Sequence, residues 1–169
     1  MITKATAADI SSLNELINSA YRGEFSKKGW TTEANLLEGS RTNESELLEI
    51  LQNPINTILK FTENERINAC VLLVEKGQQL YLGMLTVSPE LQNSGIGKKL
   101  LYEAETHAKA LGLTTIIMTV ISAREELIAW YKRHGYFDTG AREPFPIGDI
   151  HISISEQALE FMVLEKKID

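Results

Sequence analysis

Leu85-Thr86-Val87-Ser88-Pro89-Glu90-Leu91-Gln92-Asn93-Ser94-Gly95-Ile96-Gly97-Lys98-Lys99-Leu100 is the stretch whose reading decides how this chain folds. It reads as the end of a β-strand, a short loop, two glycines one residue apart, and the start of a helix. A helix N-terminus presents unpaired backbone N–H groups and the positive end of the helix dipole. Residues without a Cβ let an anion approach that backbone closely. Lys98 and Lys99 place two positive charges in the first turn, where they oppose the dipole. That placement is poor for the helix alone and sensible beside a bound anion, so the stretch predicts a phosphate or pyrophosphate site over Gln92–Lys98. The dinucleotide pattern G-x-G-x-x-G fails at Leu100, and the nucleotide loop G-x-x-x-x-G-K-[ST] fails at Gln92 and Lys99. The plain structural alternative is a strand-to-helix turn eased by glycine that binds nothing.

Working outward, the pattern alternates between strand and helix without a repeat or a linker. Met1–Thr6 reads as a short strand. Thr6 with Asp9 has capping-box spacing, and Ile10, Leu13, Leu16, Ile17 and Ala20 follow at helical intervals, which predicts a helix over 7–20. Tyr21–Arg41 is polar and glycine-containing and reads as a long loop or short broken helices. Asn43 and Glu46 mark a second helix, which ends before Asn53-Pro54 because the residue preceding proline avoids the helical region. Ile55–Phe61, Ile67–Glu75 and Leu80–Val87 are strands at hairpin spacing, so antiparallel neighbours are expected. Helical spacing returns over 96–111. Thr114–Ile121 is β-branched and almost wholly apolar, which predicts a strand buried on both faces. Residues 124–134 carry acidic residues at the start and basic residues at the end, the polarity a helix dipole favours. Tyr136–Thr139 and Ala158–Lys166 close the pattern as strands. Parallel pairing is expected wherever a strand follows a helix, giving a mixed-sheet α/β protein.

Length and composition narrow the functional classes. The chain has 169 residues, within the range of one domain, so residues 1–169 are read as a single unit. With 43% hydrophobic and 24% charged residues it is neither a disordered chain nor a coiled coil. No apolar run approaches the about 20 residues of a membrane helix, and no signal peptide is visible at the N-terminus. Cys70 is the single cysteine, which excludes an internal disulfide and a cysteine zinc cluster and suits a reducing cytoplasm. The net charge of -6 argues against nucleic acid as the partner and is compatible with a cationic small substrate.

Gln92-x-x-Gly95-x-Gly97, after a strand that ends Val87-x-Pro89, resembles the acetyl-CoA signature of the GNAT superfamily of N-acetyltransferases. Glu126-Leu127-Ile128-Ala129-Trp130-Tyr131-Lys132-Arg133-His134-Gly135-Tyr136 is similar to that family's second marker, an aromatic-Tyr pair followed by a Gly-aromatic pair. The resemblance implies the GNAT fold: a mixed, mostly antiparallel sheet of about seven strands with about four helices on its two faces. It implies direct transfer of an acetyl group from acetyl-CoA to a primary amine of a small molecule. A peptide or protein N-acetyltransferase and a non-catalytic acyl-CoA binding domain are the alternatives, and a longer acyl donor stays open.

Residue by residue, the resemblance places the cofactor pyrophosphate on Gln92, Asn93, Ser94, Gly95, Ile96, Gly97 and Lys98. It lays the pantetheine arm along Leu85 and Val87, makes the Leu85 N–H the oxyanion donor, and makes Tyr131 the general acid. By spacing alone, Tyr131 reads rather as a core aromatic, since Leu127 and Tyr131 share a helical stripe. Relatives often carry a glutamate on the strand before the phosphate loop; Leu80–Leu85 has no carboxylate, so Glu24 and Glu33, or a water chain, are left as candidates for the base. Arg124 replaces a frequent asparagine and is assigned to the cofactor, although a substrate carboxylate or a salt bridge would also suit it. Tyr21, Glu24, Trp30 and Glu33 lie where relatives build the acceptor site. A tryptophan with nearby carboxylates can clamp an amine, whereas Arg22, Arg41 and Arg124 together could bind a carboxylate. Cys70 reads as a buried small hydrophobe. His107, His134 and His151 have no partner at metal-ligand spacing, so no metal is expected. The family leaves room for a homodimer.

Overall fold

A computed structural model describes residues 1–34, 37–38, 40–144, 152–153 and 159–168. In chain order the elements are β1 (Ile2–Lys4), α1 (Ile10–Tyr21), α2 (Gly23–Ser26), β2 (Leu37–Glu38), α3 (Glu44–Gln52), β3 (Asn56–Glu63), β4 (Arg66–Lys76), β5 (Gln79–Val87), α4 (Ile96–Ala110), β6 (Thr115–Ile121), α5 (Glu125–Arg133), β7 (Phe137–Pro144), β8 (Ile152–Ser153) and β9 (Glu160–Lys167). Seven strands form one sheet in the order β1-β3-β4-β5-β6-β9-β7, and β2 pairs with β8 in a separate small ribbon.

The signals that start and stop these elements are local. Asn43 accepts a hydrogen bond from the Glu46 N–H at 2.8 Å and starts α3. The Thr6 N–H donates to Asp9 Oδ2 at 2.8 Å. The segment expected to be helical from residue 7 begins instead as a 3₁₀ turn, Ala7–Asp9, that leads into α1. Strand periodicity then divides the sheet into two faces. Ile58, Cys70, Leu72 and Met84 pack on α1 and α3. Leu59, Val71, Leu73 and Leu82 point the other way, onto Leu100, Leu101 and Ala104 of α4 and Leu127 and Tyr131 of α5. Cys70 is fully buried there, and burial pushes its thiol up to about 12.

Two expectations need correction. Parallel pairing does not follow every helix: among the described residues only β5 and β6 run parallel. β3 follows α3 yet pairs antiparallel with β1, and β7 follows α5 yet pairs only with β9. The reason is that β9 inserts between β6 and β7, antiparallel to both. Nor is β6 buried on both faces. Its residues alternate between buried and half-buried, because the helices on its two sides do not cover it equally. Ala158 and His151 lie outside the described residues. Among the described residues, no helix is long and apolar enough to cross a membrane.

Leu100 is fully buried between α4 and the sheet. Truncation to alanine leaves a cavity that the rigid sheet cannot close, so Leu100→Ala is expected to lower the unfolding free energy by about 2–5 kcal/mol. Urea unfolding followed by circular dichroism measures it; a loss below about 1 kcal/mol would show that α4 is not seated as described.

Candidate active site

The site begins where two strands stop pairing. β5 and β6 are in register only at Leu80↔Ile116 and Tyr81↔Ile117. Beyond those pairs the strands part. On its other side, β5 passes from Leu72↔Gly83 to Cys70↔Thr86, so Val71 stands opposite both Met84 and Leu85. This is a β-bulge, which bends the strand and re-aims its backbone. Met84 carries the strain, at φ 49°, a left-handed conformation unusual for a residue with a side chain. Two side chains pin the bulge. Thr86 Oγ1 donates to the Met84 carbonyl at 2.9 Å, and the Tyr21 hydroxyl, from α1, donates to the Leu85 carbonyl.

One cavity, of about 280 Å³, lies between the glycine turn and α5. Leu85, Val87, Asn93, Gly95, Gly97 and Lys98 border it, with Trp30, Trp130 and His134 as an aromatic wall. The α4 N-terminus has no side-chain cap and no acidic residue in its first turn. Its first intrahelical bond runs from Lys99 N–H to the Gly95 carbonyl at 3.2 Å, which leaves the N–H groups of Ile96, Gly97 and Lys98 ahead of the helical ladder. Gly95 turns into the helix at φ 86° with open space where a Cβ would stand, so an anion can approach there. Gly97 is bare for a different reason. A Cβ on it would meet the Trp130 ring at 3.3 Å, so glycine lets α4 and the tryptophan of α5 come together. Gln92 is not free to bind a ligand through its amide. Its Nε2 donates to Thr31 Oγ1 at 2.5 Å and to the Val87 carbonyl at 3.1 Å, and its Oε1 accepts from the Thr31 N–H at 3.2 Å. Ser94 donates its hydroxyl to the Leu91 carbonyl. Both side chains shape the loop.

A second cavity, of about 130 Å³, fills the gap between the parted strands. Gly83, Met84 and Leu85 of β5 face Met118, Thr119 and Val120 of β6 across it. Tyr81 Oη and Thr119 Oγ1 close its floor with a 3.0 Å hydrogen bond. Its far wall is ionic. Glu33 is buried and takes Arg22 on Oε1 (Nη2 at 3.0 Å, Nε at 3.3 Å) and Arg124 on Oε2 (Nη1 at 3.1 Å). Arg124 also donates to the Thr31 carbonyl. The Arg124 and Arg41 guanidinium groups stand 5.8 and 5.9 Å from the centre of the Tyr21 ring.

The two cavities share Tyr21, Leu85, Leu127 and Tyr131. Tyr131 is buried, in edge contact with Trp130 and Tyr136. Among the described residues its hydroxyl has no hydrogen-bond partner. Burial pushes the Tyr131 phenol well above the ordinary tyrosine range, with Arg124 pulling the other way. Burial also raises Tyr21, again against Arg124.

The acetyltransferase (GNAT) family profile matches residues 11–136 of this chain. The chain belongs to the GNAT acetyltransferase family. Its members are acyltransferases that use acetyl-CoA. Among curated proteins, none matches it at the sequence level. Solved structures share its fold at low identity. The ribosomal-protein-S18-alanine N-acetyltransferase of Escherichia coli superposes with a TM-score of 0.75 at 15% identity, covering 100% of this chain and 94% of that one. The paia N-acetyltransferase of Thermoplasma acidophilum, solved with coenzyme A, gives 0.71 at 18% identity over 99% and 98%. An N-acetyltransferase of Staphylococcus aureus Mu50 gives 0.72 at 16% identity over 100% and 98%.

Set on this GNAT scaffold, Leu85, Val87, Asn93, Gly95, Ile96, Gly97 and Lys98 line one cavity with Tyr131. Arg124, assigned by the resemblance to the cofactor, lines the strand-gap cavity and pairs with Glu33, while Trp30, assigned to the acceptor, lines the cavity beside the glycine turn and packs on Trp130 with ring centres 6.2 Å apart. The Glu24 side chain lies outside the described residues. Tyr81 and Thr119 escape a sequence reading because their meeting depends on where β5 and β6 stop pairing. Trp130 had a usable signal, since the bare Gly97 needs a large partner.

Raised tyrosines make alkaline stability diagnostic. A phenol whose folded pKa exceeds its unfolded value near ~10 stabilises the fold fully below that value and loses this contribution as pH rises toward the folded value. The unfolding free energy is therefore expected to fall steadily above about pH 10, with the 295 nm absorbance of Tyr21 and Tyr131 appearing only as the protein unfolds. Full tyrosinate absorbance in a still-folded protein would contradict their burial.

Proposed function

We propose that this chain transfers an acetyl group from acetyl-CoA directly to a primary amine of a small molecule. The observation that carries this reading is that two cavities meet at Leu85 and Tyr131, one beside an uncapped helix N-terminus and the other between parted strands. Acetyl-CoA is the donor substrate and supplies the acyl group as a thioester. Asn93 through Lys98 hold its pyrophosphate, mainly through the backbone N–H groups at the start of α4, with Lys98 adding charge. Gln92 and Ser94 keep that turn in shape. Leu85 and Val87 offer backbone to the pantetheine arm along the side of β5 that β6 has left.

The Leu85 N–H lies within the bulge and polarises the acyl carbonyl as its oxygen gains charge. Tyr21 holds the carbonyl of the same residue and so keeps the adjacent peptide from turning. Tyr131 retains its proton at Oη because of burial and offers it to the departing sulfur. Arg124 favours the phenolate and offsets part of the cost of that transfer. Glu33 shapes the acceptor loop and leaves the amine proton alone, because both of its oxygens are engaged by guanidinium groups. The acceptor therefore enters as the free amine: its nitrogen forms the C–N bond as the C–S bond breaks, the thiolate takes the Tyr131 proton, and the proton shed by the nitrogen on becoming an amide passes through solvent to restore the Tyr131 phenol.

The narrow strand-gap cavity, of about 130 Å³, supports a small acceptor over a protein chain. A panel of amino acids, polyamines, aminoglycosides and peptides with acetyl-CoA, followed by release of the CoA thiol, tests the reading. Turnover only with peptides would move the assignment to a peptide N-acetyltransferase, and saturable acetyl-CoA binding with no turnover on any amine would make this a binding domain. Tyr131→Phe is expected to lower kcat at least about tenfold while leaving the KM for acetyl-CoA within about threefold. A kcat within about twofold of wild type removes the acid role from Tyr131. If no residue acts as base, kcat/KM for the acceptor should rise with pH until the amine's own pKa is reached; a plateau well below that value would reveal a base on the protein.

A further inference from the structure

The charge on the walls of the strand-gap cavity opposes the charge of the chain. Among the described residues lining it, Arg22, Arg41 and Arg124 stand against one carboxylate, Glu33, an excess of two positive charges in a protein whose net charge is -6. Arg22 and Arg124 divide Glu33 between them, each on its own oxygen. Arg41 has no carboxylate partner among the described residues. Its guanidinium stands instead against the Tyr21 ring, which Arg124 also approaches. Like charges gathered in a partly desolvated cavity repel one another, and the Arg22 guanidinium is depressed by burial and by Arg41 and Arg124 beside it, against the pull of Glu33. Structural demands do not account for a third guanidinium here, since Glu33 is already satisfied on both oxygens.

We infer that the acceptor is an amine that also bears a carboxylate, an acceptor of the amino-acid class, with its carboxylate seated on Arg41 beside Arg124 and its amine directed at Leu85 and Tyr131. This rests on the reading of the chain as an N-acetyltransferase and names the acceptor of that same site. A planar guanidinium fork matches a carboxylate in two parallel hydrogen bonds, which fixes the direction of the rest of the molecule as well as binding it. An amine oriented in this way approaches the thioester along one line, where a simple alkylamine could enter in many poses. Size agrees. At about 130 Å³, the strand-gap cavity has less than half the volume of the neighbouring one, which suits a compact acceptor. A polyamine brings further positive charge into a cavity already in positive excess, and is disfavoured for that reason.

The test compares matched acceptors with wild-type protein and acetyl-CoA: an amino acid, its amide, the corresponding alkylamine and an aminoalkyl phosphate of equal length. CoA-thiol release gives kcat/KM, and calorimetry with CoA present gives acceptor binding without turnover. The expected result is an at least tenfold preference in kcat/KM for the amino acid over its amide, carried mainly by KM. Arg41→Gln should collapse that preference to within about threefold, and Arg41→Lys should restore part of it. Amides, alkylamines or polyamines that react as well as the amino acid overturn the inference while leaving the N-acetyltransferase reading intact. A preference for the phosphate overturns the carboxylate. Binding of amino acids that depends on Arg41 but yields no thiol with any amine upholds the anion site and overturns the enzymatic reading instead. Absence of both binding and turnover for the amino acids overturns the inference.

Discussion

Everything at this site depends on the parting of β5 from β6 after their second paired residue. A parallel pair in the middle of a sheet normally stays zipped, because each unmade ladder bond leaves buried backbone groups to be satisfied elsewhere. Here the bulge at Met84 and Leu85 turns β5 aside, and Thr86 and Tyr21 accept the task of holding it. The strained φ at Met84 costs of order 1–3 kcal/mol and persists because the rest of β5 is locked against β4 and α4. The gain is a cleft with strand backbone on its edge, where the two cavities join.

The parting also explains where the neighbouring elements lie. α4 crosses from the end of β5 to β6, so its uncapped N-terminus opens on the glycine turn at one mouth of the cleft. α5 follows β6 and brings Tyr131 to the join of the two cavities. β9 then fills the place beside β6, and β7 is left at the sheet edge. With β9 closing one side of β6 and β5 diverging on the other, the gap is bounded rather than open to the whole sheet face.

The loop between α1 and α3 needs a different kind of support, since it has little regular structure and few apolar residues. Its fixed point is Glu33, buried between two arginines that come from opposite ends of the site, Arg22 after α1 and Arg124 before α5. A buried ion network of this kind is weak as a source of stability, because desolvation offsets most of the attraction. Its strength lies in geometry. Removing Glu33 would take away the carboxylate that both guanidinium groups share, so the loop has one seating in which Glu33 engages the two at once. The ribbon of β2 and β8 adds a second tie between this loop and the segment before β9.

The fold and the glycine turn were legible in the sequence because their signals are local. The turn Gln92–Lys98 declares itself by glycine spacing and misplaced lysines, the helices by caps and periodicity, and Tyr131 by the aromatic pair and glycine around it. Pairing across the sheet was legible only for hairpins, where the turn dictates the partner. The insertion of β9 between β6 and β7 was not, since a strand that returns from the chain end leaves no local trace of its neighbour. The acceptor side depended on tertiary structure for the same reason. Whether Arg124 faces a phosphate, and whether Glu33 is a free base, depends on which charges lie within a few ångströms, and those charges come from positions 22, 33 and 124. Sequence alone thus determined where the helices start and where the glycine turn lies; the folded chain decided which charges meet, because electrostatic partnership is set by distance in space and not along the chain.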